Sequence, residues 1–398
     1  MDRLFIEALP IIRKLKEHNY QAYFVGGAVR DHLLERSIGD VDIATSAKPD
    51  EIQQLFPSTV DVGANHGTII VLYKNNSYEV TTFRTETGYK DYRRPAEVAF
   101  IHSLVEDLKR RDFTINAMAM DDKGKILDYF EGKKHLLEKR IMTVGNPHER
   151  FSEDALRMLR ALRFMSSLDF QLDYKTEQAI KENFFLLEHI SVERKTAEFV
   201  KLLSGKSPQA AISKMLETNV FKCLPFLEQK SGGLKTLSNL EFRHLQTSAE
   251  YWTLLIRVLN IINIEAFLRG WKLSVKIIQH VKNNNEVLTK VLSRGWSKKL
   301  VYQAGLNQSL QIERVYQALK NSKSQESFKL IEQIYEELPI KNREEIDLSG
   351  HEIISIMNKK PGPWVAEILC RIEEKIIYGS LDNSNKAIKE WLESCKQK

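Results

Sequence analysis

The first third of the chain sets short β-branched and aromatic runs between helical patterns. Val41 to Ala44, Thr68 to Tyr73 and Tyr78 to Phe83 are three such runs, and Lys74-Asn75-Asn76-Ser77 is a turn between the last two. Those two runs predict a hairpin, so the sheet is at least partly antiparallel and is not a doubly wound dinucleotide fold. From about Glu138 onward strand signals fade and helix formers dominate, as in Phe151 to Met165, Lys175 to Glu188 and Val192 to Leu203. The pattern predicts an α+β protein: an N-terminal head with a mixed or antiparallel sheet, followed by an elongated all-α neck, body and tail. Breaks at Ser204-Gly205-Lys206-Ser207-Pro208, Ser231-Gly232-Gly233 and Lys359-Lys360-Pro361-Gly362-Pro363 punctuate the helical part. The expected division is head 1–138, neck 139–206, body 207–315 and tail 316–398, with no repeat period that would make a solenoid.

Composition adds bounds. At 398 residues the chain has room for two or three domains. With 42% hydrophobic and 28% charged residues it belongs among soluble globular proteins, not disordered ones. Cys223, Cys370 and Cys395 lie far apart and are odd in number, which leaves no disulfide framework or paired CxxC metal site and points to a reducing compartment. Asp2, Glu7 and Glu17 interrupt the apolar N-terminal residues, as in an amphipathic helix rather than a signal peptide. The apolar stretch from Trp252 to Ile264 is broken by Arg257 and Asn260, too soon for a membrane span. A cytoplasmic protein without membrane attachment is expected. The formal charge of +6, from 59 Lys+Arg against 53 Asp+Glu, permits a polyanionic partner without identifying one.

Candidate chemistry begins at Asp40-Val41-Asp42. Strand residues two apart project from one face, so the two carboxylates are neighbours. Such a pair reads as a solvated surface turn or, if a cation is shared, as hard oxygen ligands suited to Mg²⁺ bridging a substrate phosphate. Upstream, Tyr23-Phe24-Val25 runs into Gly26-Gly27 and a helical pattern through Leu33 and Leu34. This is either an ordinary tight turn or a cradle whose backbone N–H groups, with Arg30, face an anion. Glu79 lies in the third β run, on a strand that could pair beside the first, and could complete a metal site or orient the aspartates.

Taken together, Gly26-Gly27, Gly39-Asp40-x-Asp42 and the later strand acid resemble the head of the polymerase-β nucleotidyltransferase superfamily. Within it the chain resembles, over nearly its whole length, the bacterial class II CCA-adding enzymes, which are tRNA nucleotidyltransferases. The resemblance implies template-independent addition of C, C and A to tRNA from CTP and ATP, with Mg²⁺ held by Asp40 and Asp42 and pyrophosphate released.

Other stretches carry chemistry of their own. In Arg110-Arg111-Asp112-Phe113-Thr114-Ile115-Asn116, Arg111 can offer a planar fork to phosphate and Asp112 can accept from a ribose hydroxyl, or the two form a surface pair. The family's RRDFTxNA segment implies the ribose role for Asp112 and a nucleotide contact for Arg111. From Glu153 to Arg163, helical spacing puts Ala155, Met158, Leu159 and Leu162 on one arc and Arg157, Arg160 and Arg163 on the opposite one, with Asp154 flanking Arg157. That is a solvated salt-bridged face, or an acid and a fork that together satisfy the pairing edge of cytosine or adenine. The family's EDxxR motif implies the second for Asp154 and Arg157, with Arg160 and Arg163 lining the nucleotide pocket.

The polar stretch Phe83 to Pro95 reads as a surface loop; its family counterpart takes part in the switch from C to A addition, and its full length favours the complete reaction. Ser191-Val192-Glu193-Arg194 resembles the segment that braces the neck, and Pro361-Gly362-Pro363-Trp364 with Trp391 resembles the tRNA-holding tail. Met142 stands where relatives often carry arginine. The rival readings are a poly(A) polymerase, a partial CC- or A-adding relative, and a non-catalytic RNA-binding module. The basic segment expected of a polymerase is missing from Asp61 to Tyr73, and no HxxHD pattern suggests an attached phosphatase. A homodimer is a further expectation.

Overall fold

Strand after strand in the head is short, because each β-branched run is cut by a turn or a helix cap. In a computed structural model, which describes residues 1–90 and 94–396, β1 (Ala22–Val25), β2 (Asp42–Thr45), β3 (Thr59–Gly63), β4 (Thr68–Tyr73) and β5 (Asn76–Thr82) precede an antiparallel hairpin of β6 (Arg84–Lys90) and β7 (Arg94–Phe100). Then come β8 (Met118–Met120) and β9 (Ile126–Asp128). One seven-stranded sheet has the order β3-β4-β5-β2-β1-β8-β9. Its pairings are antiparallel except that of β2 with β5, where Ile43 stands opposite Val80. The expected hairpin is β4-β5. Its turn residues Lys74 and Asn75 have φ of 47° and 66°, the positive values that match the twist of paired strands.

Helices pack this sheet by their apolar faces. In α1 (Arg3–Glu17), Phe5, Ala8, Ile11, Ile12 and Leu15 recur at helical spacing and are fully buried, and the Asp2 side chain caps the helix by accepting from the Leu4 N–H at 2.9 Å. Phe5 meets Phe24 of β1 with ring centroids 4.7 Å apart. The seven-residue α2 (Gly27–Leu33) leaves β1 directly, and α3 (Pro49–Leu55), α4 (Leu104–Lys109) and α5 (Gly132–Leu137) follow the sheet strands. Val25, Ala44, Phe83, Leu104, Leu108, Ala117 and Ala119 form one buried cluster under the site described below.

Two departures from the sequence reading bear on function. The stretch from Phe83 is not a loop but the β6-β7 hairpin, in which threonines and aromatics alternate with charged residues and so hide the strand period. Asp91, Tyr92 and Arg93 of that stretch lie outside the described residues. The helix expected over Phe151 to Met165 is two: α6 (Pro147–Glu153) and α7 (Leu156–Leu168). Asp154 between them is extended (φ −137°, ψ 102°), and its side chain accepts from the Leu156 N–H at 3.1 Å, satisfying an orphan donor of the new helix.

Within 139–206, where only helices are expected, the chain also forms a short parallel pair, β10 (Arg140–Ile141) with β11 (Gln171–Leu172), in addition to α8 (Tyr174–Asn183) and α9 (Val192–Leu203). The residues of Lys175–Glu188 beyond Asn183 tighten into a 3-10 segment. Beyond α9 the described residues form no strand. The chain divides into two compact units, Met1–Asn239 with Gly270–Lys272, and Leu240–Arg269 with Leu273–Lys398. The second has its own core around Val301, Ile331, Ile340, Ile372 and Ile376, and its buried Glu250 is held by two hydrogen bonds from Arg314. Among the described residues no helix is long and apolar enough to cross a membrane.

Gly132 opens α5 against the 3-10 turn Thr114–Asn116, and a Cβ there would stand 2.5 Å from the Thr114 carbonyl oxygen and 2.8 Å from Met118 Cγ. Gly132→Ala should therefore destabilise unit 1 by about 1–3 kcal/mol. Gly232→Ala, in a helix with open space around it, should stabilise by up to about 1 kcal/mol. Chemical denaturation of the two variants measures both.

Candidate active site

The turn out of β1 can be made only by glycine. Gly26 has φ 73° and ψ −137°, and a Cβ on it would lie 3.3 Å from Arg111 Nη1 and 3.5 Å from Asp42 Oδ2. Its bare backbone thus lets a cation and an anion approach from two sides. Around this turn opens a cavity of about 460 Å³. Of the residues singled out from the sequence, Gly26, Gly27, Arg30, Asp42, Arg111, Asp112, Asp154, Arg157, Arg160 and Arg163 line it. Asp40 and Glu79 do not: Asp40 is exposed just before β2, and Glu79 is exposed on β5.

Both still act on Asp42. Parallel pairing of β2 with β5 sets Glu79 beside it, and Asp40 lies two residues before it. Burial, then the Glu79 charge, and the Asp40 charge push the Asp42 carboxyl up to about 6 against the pull of Arg111. Among the described residues no group of three or more His, Cys, Asp or Glu side chains could hold a metal ion by itself. Asp42 nevertheless opens onto a cavity walled by phosphate-matching forks, with the exposed Asp40 carboxylate two residues before it, and such hard oxygen donors suit Mg²⁺, which commonly takes one or two carboxylates and completes its shell with water and phosphate. The residues present fit that ion.

The cationic wall is pre-paired with carboxylates. Arg30 donates through Nε and Nη2 to Asp31 (3.0 and 2.8 Å) and through Nη1 to the Asn116 side-chain Oδ1 (2.7 Å). Asp107, buried on α4, accepts from Arg110 (3.1 and 2.8 Å), Arg111 (3.3 Å) and the Arg84 N–H (3.3 Å). Although burial opposes it, the Arg110 and Arg111 charges hold its carboxyl below the usual range. Arg111 lines the cavity, and its Nε–H is buried without a hydrogen-bond partner among the described residues. Asp112 accepts from the Phe113 N–H (2.8 Å) and Asn116 Nδ2 (3.1 Å) on Oδ1, and from Arg160 Nε (2.8 Å) and Nη2 on Oδ2. Burial alone would raise it, but the Arg160 charge and these bonds bring it down to about 2. Arg163 Nε meets buried Glu198 at 2.5 Å.

The helix break turns Asp154 and Arg157 into a pair with defined free edges. Arg194 of α9 grips Asp154 at 2.9 and 3.4 Å. Arg157, 7% exposed, donates through Nη1 to Glu153 (2.6 Å) and the Arg150 carbonyl (3.1 Å), and through Nη2 to the Arg110 carbonyl (2.9 Å). The arc of arginines expected on a helix surface is thus half-buried or buried. Met142 braces the site through its backbone: its carbonyl accepts from the Thr114 N–H at 2.9 Å, and the Val144 N–H bonds the Asp112 carbonyl at 3.2 Å. Neither bond requires an arginine there.

Arg110, Asn116 and Phe164 line the cavity without having been singled out. Asp107 carried a signal, since it stands three and four residues before Arg110 and Arg111, the spacing of helix ion pairs. Asn116 lay within the RRDFTxNA segment, but its bond from Arg30, like the approach of Arg30 to Phe164, joins segments distant in the chain and left no local signal.

Three family models match the chain: Poly A polymerase head domain over 22–142, "Probable RNA and SrmB- binding site of polymerase A" over 169–230, and tRNA nucleotidyltransferase domain 2 over 243–392. The CCA-adding enzyme of Bacillus licheniformis is 49% identical over the full length of both chains, and that of Bacillus subtilis 47%, again over both full lengths. The crystal structure of the Bacillus stearothermophilus CCA-adding enzyme in complex with CTP superposes with a TM-score of 0.94 at 42% identity, covering 100% of this chain and 98% of that one.

Because the Asp112 carboxyl lies near 2 when folded and 3.8 is its ordinary value, its contribution is complete above about pH 4 and is lost as pH falls toward 2. It amounts to about 2 kcal/mol. Asp112→Asn should be less stable than the parent at pH 7, and the gap should close on acidification; denaturant titrations at several pH values measure it.

Proposed function

The chain belongs to the CCA-adding enzymes, which build the CCA end of tRNA from CTP and ATP, and from that premise we propose how its residues divide the work. The observation that carries the reading is the single cavity onto which the glycine turn, Asp42, the arginine forks and the Asp154–Arg157 pair all open.

In the reaction the tRNA 3′-hydroxyl oxygen bonds to the α-phosphorus of the nucleotide, the bond to the bridging oxygen breaks, and pyrophosphate leaves. Mg²⁺ held by Asp40 and Asp42 would lower the pKa of the attacking hydroxyl and offset charge on the phosphate. Arg30, Arg111 and the Gly27 N–H, which line the cavity, bind the triphosphate. Glu79 orients Asp42 from the neighbouring strand. Asp112 receives the ribose. Its four lone-pair positions are all in use in the free protein, so accepting a ribose hydroxyl requires Arg160 to release one. Arg160 then turns toward the phosphates with Arg163.

Base choice rests on Asp154 and Arg157. Arg194 and the Leu156 N–H leave Asp154 Oδ2 room for one more donor, the exocyclic amino group of cytosine or adenine. Arg157 keeps its Nε–H and one Nη2 hydrogen for a ring acceptor. Uracil and guanine would set a carbonyl oxygen against the carboxylate and are refused. The β6-β7 hairpin takes part in the change from C to A through Glu86, which pairs with Arg110 at 3.1 Å, whose carbonyl in turn holds Arg157. The neck, 139–206, selects the base, and 207–315 and 316–398 hold the tRNA. The three cysteines are free, in keeping with a cytoplasmic protein.

Purified protein, a tRNA transcript lacking CCA, CTP, ATP and Mg²⁺ should give 3′ ends that gain CCA and stop. Asp40→Ala should slow addition by about 10²-fold or more, and a chelator should stop it while tRNA stays bound. Asp154→Ala should let UTP or GTP compete. Ends with CC only, A only or a long A tail would overturn the complete reaction, and full addition by Asp40→Ala would overturn the metal assignment.

A further inference from the structure

Phe164, on α7, is 4% exposed and lines the cavity. The guanidinium carbon of Arg163 lies 3.8 Å from its ring centroid, that of Arg30 5.1 Å and that of Arg160 5.6 Å. Arg160 and Arg163 share its helix, but Arg30 comes from α2, so cations from two elements converge on one ring. Phe113 packs edge-on against the same ring, with centroids 5.7 Å apart and planes at 82°, and fixes its plane.

A ring and a carboxylate hold arginine in different ways. The carboxylate binds through the N–H edge and uses the donors that a phosphate needs; the ring attracts the cation through its quadrupole and uses none. In the free protein these arginines meet Asp31, Asp112 and Glu198 through their edges. A triphosphate must take over those edges. Once it does, the carboxylates no longer fix the guanidinium planes, and the ring still can. Asn116 cannot substitute for it, since it holds only Arg30, and by an edge donor.

We propose that Phe164 is a positioning residue for the nucleotide triphosphate, an aromatic platform that keeps the Arg30, Arg160 and Arg163 forks aimed while their donors pass from protein carboxylates to phosphate oxygens. This rests on the reading that those arginines meet the triphosphate. Because CTP and ATP share that moiety, the ring acts on both nucleotides equally and takes no part in choosing between them. Leucine at 164 would fill most of the space but offer no π face.

The test uses the full-length protein with 4-fluoro-, 3,5-difluoro- and 3,4,5-trifluorophenylalanine at position 164, a series that drains the quadrupole while nearly preserving shape, together with Phe164→Leu. KM and kcat are measured for CTP on tRNA lacking CCA and for ATP on tRNA ending in CC, with inorganic tripolyphosphate as inhibitor and thermal unfolding as a check on the fold. Both KM values and the tripolyphosphate inhibition constant should climb in parallel with fluorine number, reaching about tenfold in Phe164→Leu. The Tm of the fluorinated proteins should stay in place. A flat KM across the fluorine series, or KM values for CTP and ATP that diverge, would overturn the platform. Arg30→Ala and Arg163→Ala test the premise separately: if neither weakens tripolyphosphate inhibition, the arginines do not serve the triphosphate and the proposal falls with that reading. If both weaken it while the fluorine series is flat, only the role of the ring is lost.

Discussion

Arg30, Arg110, Arg111, Arg157, Arg160 and Arg163 wall one cavity, and the mutual repulsion of those cations in a partly dry site is the constraint that the rest of unit 1 meets. The answer is a carboxylate for each fork: Asp31 from α2, Asp107 from α4, Glu153 from α6, Glu198 from α9, and Asp112 from the segment that follows α4. Glu153, Asp112 and Glu198 reach Arg157, Arg160 and Arg163 of α7 from other elements, so local electroneutrality helps fix how α6, α9 and the segment after α4 sit against α7. Taking away one partner of a buried pair costs about 3–5 kcal/mol, since the other is left uncompensated. The charge pattern therefore shapes the fold as well as the site.

On the other side of the glycine turn the balance is reversed. Parallel pairing of β2 with β5 draws Glu79 toward Asp42, and Asp40 adds a third negative charge nearby. An acidic edge thus faces a basic wall across the bare backbone of Gly26. A nucleotide carrying phosphate and cation matches both sides at once, whereas either alone would meet one sign of charge unopposed.

How far this was legible in the sequence depended on how local each cause was. The strand Thr68–Tyr73 and its hairpin to β5 were readable because a turn with two left-handed residues sits between two β-branched runs. The glycine turn and Arg30 were readable for the same reason, as neighbours in the chain. The break at Asp154 was not, because a side chain capping Leu156 competes with an apolar arc that runs on unbroken through Ala155, Met158, Leu159 and Leu162. Neither was the β6-β7 hairpin, whose alternation lacks the apolar face that marks a strand. Phe164 drew no attention in the sequence, since what distinguishes it is a cation brought from residue 30. In unit 2 periodicity announced helices, but nothing local announced that Glu250 would meet Arg314.

The saturation of Asp112 has a bearing on turnover. On the proposed division of roles, a nucleotide entering this site swaps partners with existing ion pairs rather than adding wholly new ones, so its net affinity is much smaller than the number of forks around it would indicate. On that reading the same swap runs backward when pyrophosphate departs, since Asp112, Asp31 and Glu198 are the partners these arginines have in the free protein. An enzyme that must discard one product and admit a different nucleotide on the same tRNA gains from a pocket that is never bare. Its vacated state is already a low-energy one, and leaving is therefore easy.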